Sequence, residues 1–179
     1  ETIGTAVTAA EMAQLLFSTP HTTGAANTVD RIIDAFPANQ QRQIRIQLSM
    51  VLQAVVSQQL VPTVDGGMVP AFEVMIANTA IRNLIREAKT HQMDSVIAAG
   101  AAEGMRTMDQ SLFELVASGQ VARETALQCS IHQEALAKRL EAEGISVGER
   151  WSMERYQCPR YTTPDEAGRV ILDYCFFVR

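Results

Sequence analysis

The chain has 179 residues, of which 47% are hydrophobic and 20% charged, and its formal net charge is −5. This composition excludes a largely disordered chain, and the length suffices for one substantial core, alone or with a small appendage. The negative charge argues against nonspecific nucleic-acid binding, which requires Lys and Arg to neutralise phosphates. No apolar run approaches the roughly 20 residues of a membrane span, and no signal peptide is recognisable, so we expect a cytoplasmic protein.

The N-terminal third is predicted to contain three helices and one short strand. Residues 2–13 are alanine-rich and favour a helix, whereas the apolar run 15–19 indicates a buried strand. A second helix follows and is stopped by Pro37, because a residue before proline is pushed out of helical geometry. A third helix, capped by Asn39, is predicted to keep its apolar spacing through Val55.

A β-hairpin is predicted over residues 56–76. Asp65, Gly66 and Gly67 form a turn signal between runs of apolar and β-branched residues. Pro62 and Pro70 cannot donate a ladder hydrogen bond, so they predict that both strands lie at sheet edges.

The next segment joins an apolar helical stripe to two arginines. It consists of eight residues, which we call the octet: Ala80, Ile81, Arg82, Asn83, Leu84, Ile85, Arg86 and Glu87. Asn78 is placed to cap a helix whose apolar side carries Ile81, Leu84 and Ile85. The two arginines stand four residues apart, where like charges repel by roughly 0.2–0.5 kcal/mol unless an anionic group meets them. The octet therefore suggests a partner, and the alternative is a solvated arginine face on a core helix.

Helices are predicted to dominate from the octet to residue 143. Thr90 is expected to cap a helix that ends at Gly100, and residues 123–143 are expected to form one long final helix. The tail, residues 144–179, ends in a strand-like run. Two interpretations of it stay open: a small β appendage, or a non-native extension produced by a shifted reading frame.

The octet and its flanks resemble the type IV pilus retraction ATPases, the twitching motility motors, over roughly residues 1–140. Residues 15–23 are similar to the histidine box of this family, and the segments 28–37, 52–60 and 104–112 follow in the family's order. The sequence contains no Gly-x-x-x-x-Gly-Lys-Ser/Thr motif, which a P-loop needs to hold phosphates and magnesium. The resemblance therefore implies the C-terminal part of such a motor, without the first half of its nucleotide-binding core.

This resemblance implies an α/β, mostly helical fold. We expect residues 1–77 to form the C-terminal half of a RecA-like ATPase core with the histidine box and hairpin. Residues 78–143 would then form a helical subdomain with the retraction motif, and residues 144–179 stay unassigned. The expected function is that of a fragment of a motor that couples ATP hydrolysis to pilus disassembly, and the chain alone is expected to be inactive. The alternative is a non-hydrolysing interaction module that binds motor or pilus components.

The family's site residues carry over onto two places in this sequence. His21 and Thr22 match the end of the histidine box, which in the family senses the terminal phosphate of the nucleotide; the octet matches the retraction-specific element. The chain departs from the family at Ala13 and Gln14, where Gly-His is usual, and at Pro20, where leucine is usual. These departures bear on nucleotide sensing, because the first histidine is lost and proline fixes the backbone before His21.

The resemblance also implies cofactors and partners. ATP and magnesium are expected in the full-length parent, with neither bound tightly by this fragment and no catalytic residue in it. A hexameric ring and an inner-membrane pilus platform protein are the expected partners, without nucleic acid, at the cytoplasmic face of the inner membrane. Glu73 is expected to pair with an octet arginine. Cys129 and His132 stand one helical turn apart, but two ligands do not make a zinc site, so no metal is expected.

Overall fold

The computed structural model describes residues 2–12, 16–19, 22, 24–144 and 170–177. The elements follow one another as α1 (Thr2–Glu11), β1 (Leu16–Ser18), α2 (Ala25–Asp34), α3 (Ala38–Val51), β2 (Leu52–Pro62), β3 (Met68–Ile76), α4 (Thr79–Arg86), α5 (Met93–Ala99), α6 (Met108–Ala117), α7 (Arg123–Cys129), α8 (Gln133–Ala142) and β4 (Val170–Phe177). Short 3-10 turns occupy Thr90–Gln92 and Ala101–Glu103. No helix in these described ranges is long and apolar enough to cross a bilayer.

The strands form one sheet in the order β1-β4-β2-β3, in which β4 runs antiparallel to β1. The predicted hairpin is confirmed: β2 and β3 flank a turn in which Gly66 has φ +81°, a conformation that favours glycine. The edge prediction holds for Pro70 in β3. It is wrong for β2, which lies between β4 and β3, and Pro62 is tolerated there because it is the last residue of the strand.

The chain divides into two compact units. Unit 1 comprises Glu1–Ser57, Glu73–Thr107 and Leu172–Arg179, whereas unit 2 comprises Gln58–Phe72 and Met108–Ile171. The core of unit 1 is built from α2, α3, α4 and α5 around fully buried residues such as Ile33, Leu48 and Ile85. The core of unit 2 is built mainly from α6, α7 and α8. The helix α4 that carries the octet therefore shares a core with α2, the helix that follows the histidine box.

Helix α3 passes directly into strand β2, without a loop. The prediction that this helix continues through Val55 is wrong, because α3 ends at Val51. A helix end leaves its last carbonyls without intrahelical partners. The Leu52 backbone N–H donates to the carbonyl of Leu48. The Arg82 Nη1 then donates to the carbonyls of Ser49 (2.7 Å) and Met50 (2.9 Å), so a side chain of α4 closes α3.

The predicted long helix over residues 123–143 is interrupted at residues 130–132, which separate α7 from α8. The carboxylate of Asp109 accepts hydrogen bonds from the Ser130 hydroxyl (2.8 Å), the Ile131 N–H (3.0 Å) and the His132 N–H (3.0 Å). These bonds satisfy the backbone groups that the interruption exposes. A local helical pattern does not reveal this break because the acceptor lies 21 to 23 residues away.

Two predicted helix caps are also wrong. Helix α3 begins at Ala38 with Pro37 at the cap position, so Asn39 lies inside the first turn. Thr90 does not cap α5, because its hydroxyl donates to the Asp30 carboxylate (2.8 Å), 60 residues away in the sequence. Gly100 does follow α5 as predicted, although its φ of −88° is not left-handed.

We predict that Arg82→Ala lowers the free energy of unfolding by about 1–2 kcal/mol, because two helix-terminal carbonyls lose a charged donor. The matched control is Arg86→Ala, which removes an exposed arginine one turn later on α4 and should change stability by less than about 0.5 kcal/mol. Urea unfolding followed by circular dichroism compares the two variants. Equal losses would contradict a specific role of Arg82 in closing α3.

We further predict that Asp109→Ala destabilises unit 2 by about 1–3 kcal/mol, since three donors lose their acceptor. Asp109→Asn should give an intermediate loss, because its amide nitrogen cannot accept a hydrogen bond. Glu143→Ala removes an exposed carboxylate of the same unit and serves as the control. Hydrogen exchange of the residue 131 and 132 amides gives the local measure, and unchanged protection in Asp109→Ala would refute the assignment.

Candidate functional site

The octet folds as predicted into a helix with one apolar and one polar side. The Asn78 side chain accepts a hydrogen bond from the Ile81 N–H (3.0 Å), which confirms it as the cap of α4. Ile81 and Ile85 are fully buried and Leu84 packs against the same core. The remaining octet residues lie on the other side: Ala80, Asn83, Arg86 and Glu87 are exposed, and Arg82 is half-buried.

The two arginines of the octet differ in their contacts. Arg82 is committed to the end of α3, and its Nη2 also donates to Gln53 Oε1 (3.3 Å). Burial, and secondarily the charge of Arg86, lower the pKa of the Arg82 guanidinium from its ordinary value. Arg86 is exposed, and no hydrogen bond or ion pair joins it to another residue in the described part of the chain. The sequence suggests a partner for both arginines; in the structure Arg82 contacts the end of α3, whereas Arg86 is exposed.

The end of α4 has an unusual backbone. Ala88 has φ +59°, a left-handed conformation that glycine usually supplies. The Ala88 N–H donates to the carbonyl of Ile85 (3.3 Å) and the Lys89 N–H to that of Leu84 (2.9 Å), the pair of bonds of a Schellman motif. Next to this motif, the exposed Lys89 ammonium lies 2.7 Å from the Glu87 carboxylate. The hydrogen bond from Lys89, followed by the positive charge of Lys89, lowers the pKa of Glu87.

The histidine-box region is only partly described. His21, Pro20, Ala13 and Gln14 lie outside the described residues, so their predicted roles stay predictions. Thr22 is buried, and its hydroxyl lies 2.6 Å from that of Thr28 in the first turn of α2. The Thr28 hydroxyl donates its single hydrogen to the Gly24 carbonyl (2.9 Å), so Thr22 must be the donor of the pair. Thr22 therefore ties the segment before α2 to that helix.

The start of α2 is closed by a buried carboxylate. Gly24 occupies the cap position with φ +85° and supplies no side chain. Glu73 in β3 is 2% exposed, and its Oε1 accepts a hydrogen bond of 2.6 Å from the Ala25 N–H, the first of the helix. A carboxylate is stabilised there by the positive end of the helix dipole. Ala71 and Met75 flank Glu73 on the inward side of β3, and an acidic residue in that alternation was the available sequence signal for this contact.

A second contact joins α2 to the region after α4. The Asp30 carboxylate of α2 accepts the hydrogen bond from the buried Thr90 hydroxyl and lies 3.9 Å from the Arg45 guanidinium of α3. Arg82 of α4 thus contacts Met50 near the end of α3, whereas Thr90 connects through Asp30 to Arg45 in the middle of that helix. This group leaves no local signal in the sequence, because Asp30, Arg45 and Thr90 are distant along the chain.

The described residues offer few groups that could hold ATP and magnesium. The helix terminus nearest the histidine box already holds the Glu73 carboxylate, which would repel a phosphate. No group of three or more His, Cys, Asp or Glu side chains with metal-binding geometry occurs among the residues that the structure describes. Cys129 is buried, and the His132 N–H is bound to Asp109. The described residues do not by themselves fit an ATP–magnesium complex.

Comparisons with known proteins identify relatives for most of the chain, although no protein-family model matches it. The chain is 53% identical over 138 residues to a twitching motility protein of Neisseria gonorrhoeae, a match that covers 76% of the chain. It is 52% identical over 126 residues, 70% of the chain, to the type IV pilus retraction ATPase PilT of Pseudomonas aeruginosa. The chain spans 37% of the length of each of these relatives.

Solved structures agree with these relatives. The crystal structure of the pilus retraction motor PilT with bound ADP matches 76% of the chain and 38% of that protein, with a TM-score of 0.69 and 44% identity. The Yersinia pseudotuberculosis ATPase DotB, at 19% identity and a TM-score of 0.51, shares the fold alone. The predicted fold class is confirmed: a mostly helical α/β fold that corresponds to the C-terminal part of a motor ATPase core with its helical region. Over its matched residues, the chain belongs to the type IV pilus retraction, or twitching motility, ATPase family.

Proposed function

We propose that this chain is the C-terminal part of a motor that couples ATP hydrolysis to pilus disassembly and twitching motility. One observation carries the proposal: the octet forms a capped helix on a shared core and presents Arg86 to solvent. The relatives named for twitching motility and pilus retraction, at 52–53% identity, support it. In this proposal the parent assembles as a hexameric ring at the cytoplasmic face of the inner membrane and acts on a pilus platform protein.

We assign different roles to the two arginines. Arg82 holds α4 against the end of α3 and so positions the octet, whereas Arg86 faces an anionic group of a neighbouring subunit or of the platform protein. Arg82 adds a second positive charge one helical turn from Arg86, and such a cationic site favours a carboxylate partner. Neither arginine is proposed to touch nucleotide phosphates.

We assign nucleotide sensing to the histidine box. An imidazole at His21 suits this role because it donates a hydrogen bond and titrates near neutrality. Since the Thr22 hydroxyl donates to Thr28, we propose that Thr22 holds the sensing segment in place and does not donate to phosphate. ATP and magnesium are proposed to bind the parent through a P-loop that this sequence does not contain.

The second candidate function is a non-hydrolysing interaction module that binds motor subunits or pilus components. The observation that supports it is the octet helix, whose cap, buried side and exposed Arg86 are formed by residues of this chain alone. The DNA upstream of the Glu1 codon distinguishes the two candidates. An in-frame P-loop there supports the motor, whereas an initiation codon directly before Glu1 supports the module.

We predict that the purified 179-residue chain does not hydrolyse ATP, because no lysine-bearing glycine loop is present to hold the β- and γ-phosphates. Release of inorganic phosphate in the presence of Mg-ATP measures this. The full-length Pseudomonas aeruginosa relative, assayed in parallel, shows that the conditions support turnover. Hydrolysis that copurifies with the chain through several chromatographic steps would contradict the prediction.

We also predict that an Arg86→Ala substitution, placed at the matching position of the full-length Pseudomonas aeruginosa relative, abolishes retraction and preserves most ATPase activity. The reason is that Arg86 lies on the surface and closes no structural contact in the described chain. Twitching zones and phosphate release are measured on the same variant. The control is Arg42→Ala, which removes another exposed arginine of unit 1 outside the octet. Parallel loss of both activities would place Arg86 in the hydrolytic path.

A further inference from the structure

Two polar contacts join α2 to the chain on either side of α4. We propose that they couple the start of α2, the helix that follows the histidine box, to α4, the helix that carries the octet. The residues that carry the coupling are Glu73, before α4, and Thr90, after it. Both are positioning residues, since they act through the helices that they hold. The biological meaning of this coupling rests on the proposed function, whereas its test does not.

The first contact lies on the N-terminal side of α4. Glu73 holds the Ala25 N–H, and strand β3 then continues to Ile76, two residues before the Asn78 cap. A hydrogen bond to a buried carboxylate is stronger than one between neutral groups. A displacement of the start of α2 must therefore either carry β3 with it or break a charge-assisted bond of 2.6 Å.

The second contact lies on the C-terminal side of α4. Thr90 follows the left-handed end of the helix and donates to Asp30, which also lies 3.9 Å from Arg45. Because Arg82 in turn closes α3, these contacts form a ring that runs from α2 through α3 and α4 and back to α2. The helix inside this ring has only eight residues, and both of its flanking segments are attached to α2.

These contacts link the places that the proposed function assigns to nucleotide sensing and to retraction. The segment before α2 contains Thr22 and Gly24, which are bonded to the first turn of α2 through Thr28. A movement imposed on this segment reaches α2 directly. Glu73 and Thr90 then offer α2 two polar connections to α4, in addition to the apolar core that the two helices share.

Hydrogen exchange of the complete 179-residue chain tests the coupling. Thr90→Val removes the hydroxyl from a buried site at nearly constant volume. We expect amide exchange to accelerate about tenfold in both α2 and α4, with α1 unchanged as an internal reference. Thr90→Ser restores the hydroxyl and should restore protection in both helices. Thr8→Val, which changes an exposed threonine of α1 in the same unit, is the matched control.

Glu73→Gln tests the contact on the N-terminal side of α4. The substitution removes the negative charge and keeps an oxygen that can accept the Ala25 N–H. It should accelerate exchange in the same two helices, and its effect should combine non-additively with that of Thr90→Val. Acceleration confined to one helix, or additive effects of the two substitutions, would overturn the proposal. If Thr90→Val unfolds unit 1 as a whole, the Glu73→Gln variant alone tests the proposal. Faster exchange in both α2 and α4 would support it, and faster exchange in only one of them would overturn it.

The outcome separates this inference from the proposed function. Coupled exchange in this chain, together with normal retraction in the Arg86→Ala motor, would overturn the proposed function alone. Independent exchange of α2 and α4, together with lost retraction in that motor, would overturn the coupling alone.

Discussion

The junction between α3 and β2 is the constraint on which the rest of unit 1 depends. A helix that becomes a strand without a loop leaves carbonyls that neither element can satisfy. Here the guanidinium of Arg82 supplies the missing donors at Ser49 and Met50. That requirement ties α4 to the end of α3 and gives one of the two octet arginines a structural role. Arg82 and Arg86 look equivalent in the sequence, but Arg82 has a structural role and Arg86 is exposed.

Features set by neighbouring residues could be predicted from the sequence, and features set by distant ones could not. The Asn78 cap and the hairpin turn at Gly66 depend on a few adjacent residues, and both were predicted correctly. The end of α3 was misplaced because the apolar spacing through Val55 suits either a helix or a buried strand face. The contact between Glu73 and Ala25 spans 48 residues, so local periodicity carries no information about it beyond an inward-facing acid.

The family resemblance supplies a candidate function for the octet, which helical periodicity alone does not. Periodicity identified α4 as a core helix, whereas the role that we propose for Arg86 rests on the resemblance to the retraction ATPases. The structure in turn shows contacts of α2 that the resemblance does not predict. The carboxylate of Glu73 accepts a hydrogen bond from the first N–H of α2, and the Thr22 hydroxyl contacts Thr28 in the same helix.

The left-handed Ala88 has a consequence for the length of α4. Alanine is the best helix former, so the local sequence favours continuing the helix through this position, at which the structure ends it. A left-handed alanine costs roughly 1 kcal/mol, which the Schellman bonds and the Thr90 contact offset. The end of α4 is thus a balance between two competing backbone conformations. The Thr90 contact with α2 is therefore one of the interactions that hold Ala88 left-handed, and the length of α4 depends on a residue of another helix.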